Sequence, residues 1–246
     1  MTEIASHRGG ALLWPENSRT AFENTAKLAF EQIEFDVHPT RDGALVVIHD
    51  ATLERTTDGS GPVCERSFAE LAQLALNGSR GDHILALSEV VEIFRETPIK
   101  LRIEIKPDPD RNPYPGLPAI LVAELRDLNM LERAIITSFQ LDTVCEAAEA
   151  GPSSHLWLIE PDLQRDIGLE AICAAAKRRG VPMLGIRHNR LDAGSVVAVR
   201  RAGLGIGGWA ANDEPAMVRM LELGVDVFTT DRPDLALAVR ATMRKE

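Results

Sequence analysis

Glu34-Phe35-Asp36-Val37 and Arg102-Ile103-Glu104-Ile105-Lys106 place charged residues at every second position within apolar runs. Side chains alternate faces along a strand, so Glu34 and Asp36 share one face while Phe35 and Val37 share the other. By the same rule Arg102, Glu104 and Lys106 point one way and the two isoleucines point the other. Three carboxylates gathered at one end of neighbouring strands repel one another unless positive charge lies between them. A single divalent cation would supply it, and an all-oxygen donor set suits Mg2+ or Ca2+ better than Zn2+. The plainer alternative is a polar layer neutralised by Arg102 and Lys106 alone.

His7-Arg8-Gly9 closes another apolar run. A histidine there could serve as acid or base near neutral pH, and Arg8 could hold a phosphate through two N–H groups. Gly9-Gly10 would let the backbone approach a ligand closely. His49, after Val46-Val47-Ile48, offers a second imidazole. Taken singly, such histidines are more often structural. As a pair flanking a cation-bound phosphate they make a complete acid and base. His38, beside the 33–37 run, is a candidate for a supporting contact, and His188 for lining a pocket. His83 and His155 have no motif around them and read as surface or packing. Trp209, followed by Asn212, is either core or a wall for the carbon skeleton of a bound molecule.

A repeated pattern must position these residues. Short apolar, often β-branched runs at 4–8, 33–37, 101–106, 134–138, 155–159, 183–188, 204–209 and 225–230 read as eight strands. Amphipathic stretches at 18–30, 87–97, 119–128, 141–150, 169–179, 193–202 and 215–223 read as helices between most of them. Gly151, Gly180, Gly203 and Gly224 predict left-handed helix caps. Such alternation implies right-handed crossovers and a parallel sheet, and eight units imply an α/β fold closed as a (β/α)8 TIM barrel. An open, doubly wound sheet is the rival. One stretch breaks the pattern: Asp42-Gly43 between β-rich runs predicts a hairpin. The 45–48 run is therefore expected outside the barrel, in a small insertion after the second barrel strand, from about 42 to 84. Insertions there sit above the strand ends where barrel enzymes build their sites.

The chain of 246 residues, 45% apolar and 26% charged, reads as one domain, 1–246. It is long enough to fold without disulfides. Cys64, Cys145 and Cys173 are an odd number without CxxC spacing and read as free, mostly buried thiols of a reducing compartment. No basic stretch followed by an apolar run opens the chain, and no segment approaches the roughly 20 apolar residues of a membrane span. The expectation is a soluble, cytoplasmic protein without membrane insertion. The net charge of −10 argues against nucleic acid as a partner, since counterion-driven binding needs a basic face. An anionic substrate would have to be drawn in locally. A homo-oligomer is compatible with such a barrel.

These motifs, in this order, resemble the glycerophosphodiester phosphodiesterases. The resemblance runs through His7-Arg8-Gly9, Pro15-Glu16-Asn17, Glu34-Phe35-Asp36-Val37, Thr40-Arg41-Asp42-Gly43 and Val46-Val47-Ile48-His49-Asp50. It continues through Leu53-Glu54-Arg55-Thr56-Thr57-Asp58-Gly59, Glu104-Ile105-Lys106, Ser138-Phe139, Trp209 with Asn212, and Thr230-Asp231-Arg232-Pro233. It is tightest up to about Gly61. It implies a metal held by Glu34, Asp36 and Glu104, and His7 and His49 as general acid and base. Arg8 and Lys106 become the phosphate-binding cations, Trp209 a substrate wall, and Glu16 a neighbour of the metal or of its ligands. The implied reaction is metal-dependent hydrolysis of a small-molecule phosphodiester to sn-glycerol 3-phosphate and an alcohol. A lysophospholipase D-type activity on a longer lipid and a non-catalytic phosphodiester-binding barrel are the alternatives. Three positions depart from the family pattern. Ser18 replaces the usual threonine and keeps a hydroxyl. Arg102 stands where asparagine is common and, facing inward, could compete with a metal for a carboxylate. Ala210-Ala211 replaces a bulkier pair and would widen the pocket if either faces it.

Overall fold

The computed structural model describes residues 1–151 and 154–244. Its strands, in chain order, are β1 (Glu3–His7), β2 (Gln32–Pro39), β3 (Leu45–Val47), β4 (Leu85–Ala86), β5 (Lys100–Ile105), β6 (Ala134–Ser138), β7 (Ser154–Ile159), β8 (Met183–Arg187), β9 (Gly205–Trp209) and β10 (Val227–Thr230). The helices are α1 (Arg19–Thr25), α2 (Phe68–Leu71), α3 (Leu87–Phe94), α4 (Leu117–Asp127), α5 (Leu141–Ala150), α6 (Pro161–Arg178), α7 (Ala193–Arg201), α8 (Glu214–Leu223) and α9 (Pro233–Met243). All the strands but β3 and β4 are parallel and hydrogen-bonded edge to edge. β1 closes the ring by pairing with β10 on one side and β2 on the other. The eight sequence-predicted runs are thus the eight staves of a TIM barrel.

β2 is longer than its neighbours because it leaves the barrel at its C-terminal end. There Val37 to Pro39 pair antiparallel with β3, and β3 pairs in turn with β4. Gly43, at φ 87°, makes the intervening turn that Asp42-Gly43 predicts. The inserted segment has a small apolar core of its own, built from Val46, Ile48, Leu53, Val63, Leu71 and Ile84. It sits on the rim after the second barrel strand.

Alternation along the staves divides the barrel. Outward side chains such as Phe35, Val37, Ile103 and Ile105 join Phe22 and Phe94 of the helices in the main core. Inward, β2 and β5 carry Glu34, Asp36, Arg102 and Glu104, all buried. The facing wall is apolar, with Ile135, Leu156 and Leu158 packed together. Glycine makes room for that wall: a Cβ at Gly185 would lie 2.7 Å from Leu158 Cδ2 and 2.8 Å from Leu156 Cδ2.

Four local departures from the sequence expectation have physical causes. The first strand stops at His7 because Arg8 turns to φ 50°. The first helix spans only Arg19–Thr25, capped by Ser18 Oγ on Ala21 N, since the chain must then turn back to start β2. The 169–179 stretch is only the second half of α6, which begins at Pro161 and is interrupted at Gly168 (φ 77°, ψ 159°). Gly180, Gly203 and Gly224 have positive φ as expected, but Gly151 is extended at φ −175°. Gly151 is small for another reason, because Val122 Cγ1 would lie 2.6 Å from its Cβ. Cys145 and Cys173 are buried and Cys64 half-buried, all free. Among the described residues no helix is long and apolar enough to cross a membrane.

Gly185→Ala is expected to lower stability by about 1–3 kcal/mol through overpacking against the two leucines. The measurement is the urea midpoint at unchanged slope; an unmoved midpoint would show that the barrel interior yields without cost.

Candidate active site

The register of β2 on β5 sets Asp36 opposite Glu104 and Glu34 opposite Arg102, while β1 sets His7 beside Glu34. Glu34, Asp36 and Glu104 are all buried, and each offers a carboxylate oxygen within 4.8 Å of the others. Glu34 Oε2 is buried without a hydrogen bond from any described residue. Two cations flank the group. Lys106 Nζ lies 2.6 Å from Glu104 Oε1 and 3.1 Å from Asp36 Oδ1. Arg8 Nε lies 3.2 Å from Asp36 Oδ2, which also accepts from Asn17 Nδ2 at 3.2 Å. Burial first, and then the Asp36 charge, push Glu34 up to about 7. At Asp36 burial acts in the same sense, but Lys106 and Arg8 outweigh it and hold that carboxyl well below its usual range. The cluster is built to carry negative charge only next to positive charge.

Both histidines are oriented by carboxylates. His7 Nδ1 is 2.5 Å from Asp231 Oδ1, leaving Nε2 on the side of Glu34, 3.7 Å from Oε2. Asn212 anchors Asp231 by donating from Nδ2 to Oδ2 and accepting from its backbone N at 2.8 Å. His49 Nδ1 is 2.6 Å from Asp50 Oδ1, and Arg55 Nε donates to Asp50 Oδ2. Each imidazole therefore keeps its Nδ1 engaged and its Nε2 available for exchange. Their surroundings differ. Burial lowers the pKa of both, but at His7 it is outweighed by Glu34 and Asp231, so that His7 is raised. His49 is lowered by burial, with Lys106 and Arg8 adding to that effect and Asp36 opposing it. His38, fully buried, holds the His49 segment: its Nε2 lies 3.1 Å from the His49 carbonyl and its Nδ1 3.3 Å from the Tyr114 hydroxyl.

Two cavities meet at this cluster. An inner one of about 200 Å3 enters the barrel between His7, Arg8, Glu34, Arg102, Leu158 and Trp209. An outer one of about 480 Å3 opens between the rim insertion and the 107–111 loop, past His49, Asp50, Gln140 and Glu160. His49, Glu104, Lys106 and Phe139 belong to both. The arrangement suits an anionic group at the junction with a substituent on either side, and a proton donor and acceptor within reach of it.

The structure thus brings His7, His49, Arg8, Lys106, Glu34, Glu104 and Trp209 to the walls of these cavities, with Asp36 fully buried beside Glu34 and Glu104. Glu16 stands one step back, accepting from Arg8 Nη1 at 3.2 Å and from Arg55 Nη1 and Nη2 at 2.8 Å each. The remaining sequence expectations meet different outcomes. Arg102 forms no ion pair with a carboxylate among the described residues; its Nη1 crosses the barrel to donate to Thr229 Oγ1 at 3.1 Å. Gly9 packs closely against α1, since a Cβ there would lie 2.7 Å from Ala21 Cβ, and its φ of 81° also favours glycine. Ala210 lines the inner cavity, whereas Ala211 is buried in the main core. His188 lies outside both cavities and His83 is near Glu89. Residues that sequence reasoning left without a role are Asp231, Asp50, Arg55 and Asn17. Asp50 adjoins His49 in the sequence, which is a usable signal; Asp231, at the far end of the chain, meets His7 only on barrel closure.

The glycerophosphoryl diester phosphodiesterase family model matches residues 7–235. A crystal structure of an Agrobacterium tumefaciens protein, named as a candidate glycerophosphoryl diester phosphodiesterase, superimposes with a TM-score of 0.98 at 39% identity over 100% of both chains. The glycerophosphodiester phosphodiesterases of Caldanaerobacter subterraneus and Bacillus altitudinis are 31% and 30% identical, over 95% and 99% of this chain and 95% and 100% of their own. This chain belongs to the glycerophosphoryl diester phosphodiesterase family. It is an enzyme, a phosphoric diester hydrolase acting on glycerophosphodiesters.

Burial, opposed by the His49 carbonyl contact and Asp36, lowers His38 to about 4 from an ordinary value near 6.5. On acidification the unfolded chain takes up that proton first. The contribution of neutral His38 is therefore complete above about pH 6.5 and lost as pH falls towards about 4, roughly 3 kcal/mol in all. Urea melts across this window should show His38→Asn with a shallower pH slope than the parent; equal slopes would contradict a neutral buried His38.

Proposed function

We propose that this chain, acting as one domain, hydrolyses glycerophosphodiesters to sn-glycerol 3-phosphate and an alcohol with one divalent cation, Mg2+ or Ca2+, and His7 and His49 as acid and base. The single observation that carries this reading is the pairing of each imidazole with its own carboxylate, Asp231 and Asp50, beside three buried carboxylates. The donor set fits a hard cation: all oxygen, closely spaced, with Glu34 Oε2 buried and free of hydrogen bonds. Glu34, Asp36 and Glu104 would hold it, and when bound it offsets charge on the phosphoryl oxygens.

The residues of the chain supply the rest. Arg8 and Lys106 present N–H groups to the non-bridging oxygens, and stabilise the charge that grows there in the transition state. One imidazole Nε2 takes the proton of the attacking oxygen, and the other gives a proton to the departing alcohol oxygen. The attacking oxygen is that of water, or of the substrate's own glycerol hydroxyl where a cyclic phosphate forms first and water then opens it. Asp231 and Asp50 keep those nitrogens aligned and stabilise each ring when it is protonated. Trp209 and Phe139, in edge contact at 5.7 Å, form an apolar wall for the carbon skeleton.

Purified protein incubated with glycerophosphocholine should release glycerol 3-phosphate, read through a coupled dehydrogenase. EDTA should abolish release, added Mg2+ or Ca2+ should restore it, and Asp36→Ala and His7→Ala should both be inactive. No release from folded, metal-loaded protein would sink the proposal. Asp231→Asn should lower kcat on the order of 10²-fold with KM little changed. A kcat within about twofold of the parent would show that His7 needs no such partner.

A further inference from the structure

Arg102 lines the inner cavity and has no part in the proposed chemistry. It is 3% exposed, yet its Nε and Nη2 have no hydrogen-bond partner among the described residues. Leaving such donors buried and unmet is costly, so they are expected to meet an acceptor in the working enzyme. Only Nη1 is engaged, on Thr229 Oγ1, and this bond carries the guanidinium from β5 across to β10. Arg102 borders the inner cavity together with Thr137, whose Oγ1 is also buried without a partner. Leu158, Phe139 and Trp209 supply the apolar wall, and Glu34 and Glu104, the proposed cation ligands, line the same cavity. An ammonium headgroup would meet a like charge there and offer no acceptor. An acyl chain would meet polar N–H groups, in a space of about 200 Å3.

We propose that Arg102 is a specificity-determining residue that binds the free hydroxyl oxygens of the glycerol half through Nε–H and Nη2–H. The glycerol half thus lies inward, with the other alcohol in the outer cavity. The inference rests on the hydrolysis proposed above. It explains why the outer cavity, wider and open to solvent, can take the variable alcohol, while the hydroxylated half is read by fixed donors.

The test is a binding measurement, independent of turnover. Titration calorimetry on Mg2+-loaded protein compares sn-glycerol 3-phosphate with propyl phosphate, which has the same phosphate and carbon count but no free hydroxyl. The parent should prefer the glycerol compound by about tenfold or more, as hydrogen bonds from a charged donor allow. In Arg102→Met that ratio should fall towards one, with propyl phosphate affinity changed less than about twofold. A purely structural role for Arg102 predicts equal losses for both ligands, and either equal losses or a preserved ratio overturns the proposal. If Arg102→Met does not fold, Arg102→Lys retains the charge without the planar pair of donors. Its ratio should drop at least about threefold, and an unchanged ratio again overturns the proposal. A parent that hydrolyses glycerophosphocholine but binds both ligands equally refutes this inference alone. A parent that hydrolyses nothing refutes the underlying function.

Discussion

Three carboxylates buried at the end of two adjacent staves are the constraint around which the rest of this structure is arranged. Burying charge without a partner is prohibitive, and burying three like charges within 4.8 Å is more so. Lys106 on one side and Arg8 on the other make the cluster tolerable, and Asn17 adds a donor to Asp36. The backbone adjusts to put these groups in place. Arg8 and Asn17 both adopt positive φ, 50° and 56°, conformations that ordinary side chains avoid. Such strain gathers where the surrounding fold dictates the geometry of a site.

The same electrostatics tie the rim to the barrel. Asp36 contacts Arg8, Arg8 contacts Glu16, Glu16 takes Arg55 in a two-pronged pair, and Arg55 holds Asp50, which aligns His49. Alternating charge thus runs from the floor of the site to the inserted segment. His38 and Tyr114 brace that segment from the other side. The insertion is tied to the barrel at these points although it lies outside the ring. This is how a histidine borne on a rim loop can be brought to the cluster that β1, β2 and β5 assemble.

The barrel interior is correspondingly lopsided. One wall is ionic, the other is leucine and isoleucine, and glycines behind the leucines allow them to fill the space. Arg102 reaches from β5 to Thr229 of β10, and both line the inner cavity. The inner cavity therefore has charge at the junction and apolar surface along one side, with Arg102 among its lining residues.

The sequence by itself determined the eight staves, the rim hairpin and the inward face of β2 and β5. Strand alternation is a local rule, and Glu34, Asp36, Arg102, Glu104 and Lys106 obey it residue by residue. It also carried the family, because ordered motifs such as His7-Arg8-Gly9 and Glu34-Phe35-Asp36-Val37 survive without any knowledge of contacts. Tertiary structure alone decided which group each side chain meets. Asp231 lies 224 positions from His7 and reaches it only because β10 returns to pair with β1. Arg102 could be read as a rival for the metal carboxylates, since its inward direction was legible but its reach across the barrel to Thr229 was not. At Gly9 the contact with Ala21 of α1 was not legible either. In each case periodicity fixed the direction of a side chain, while its partner depended on barrel closure, which joins residues that no local pattern connects.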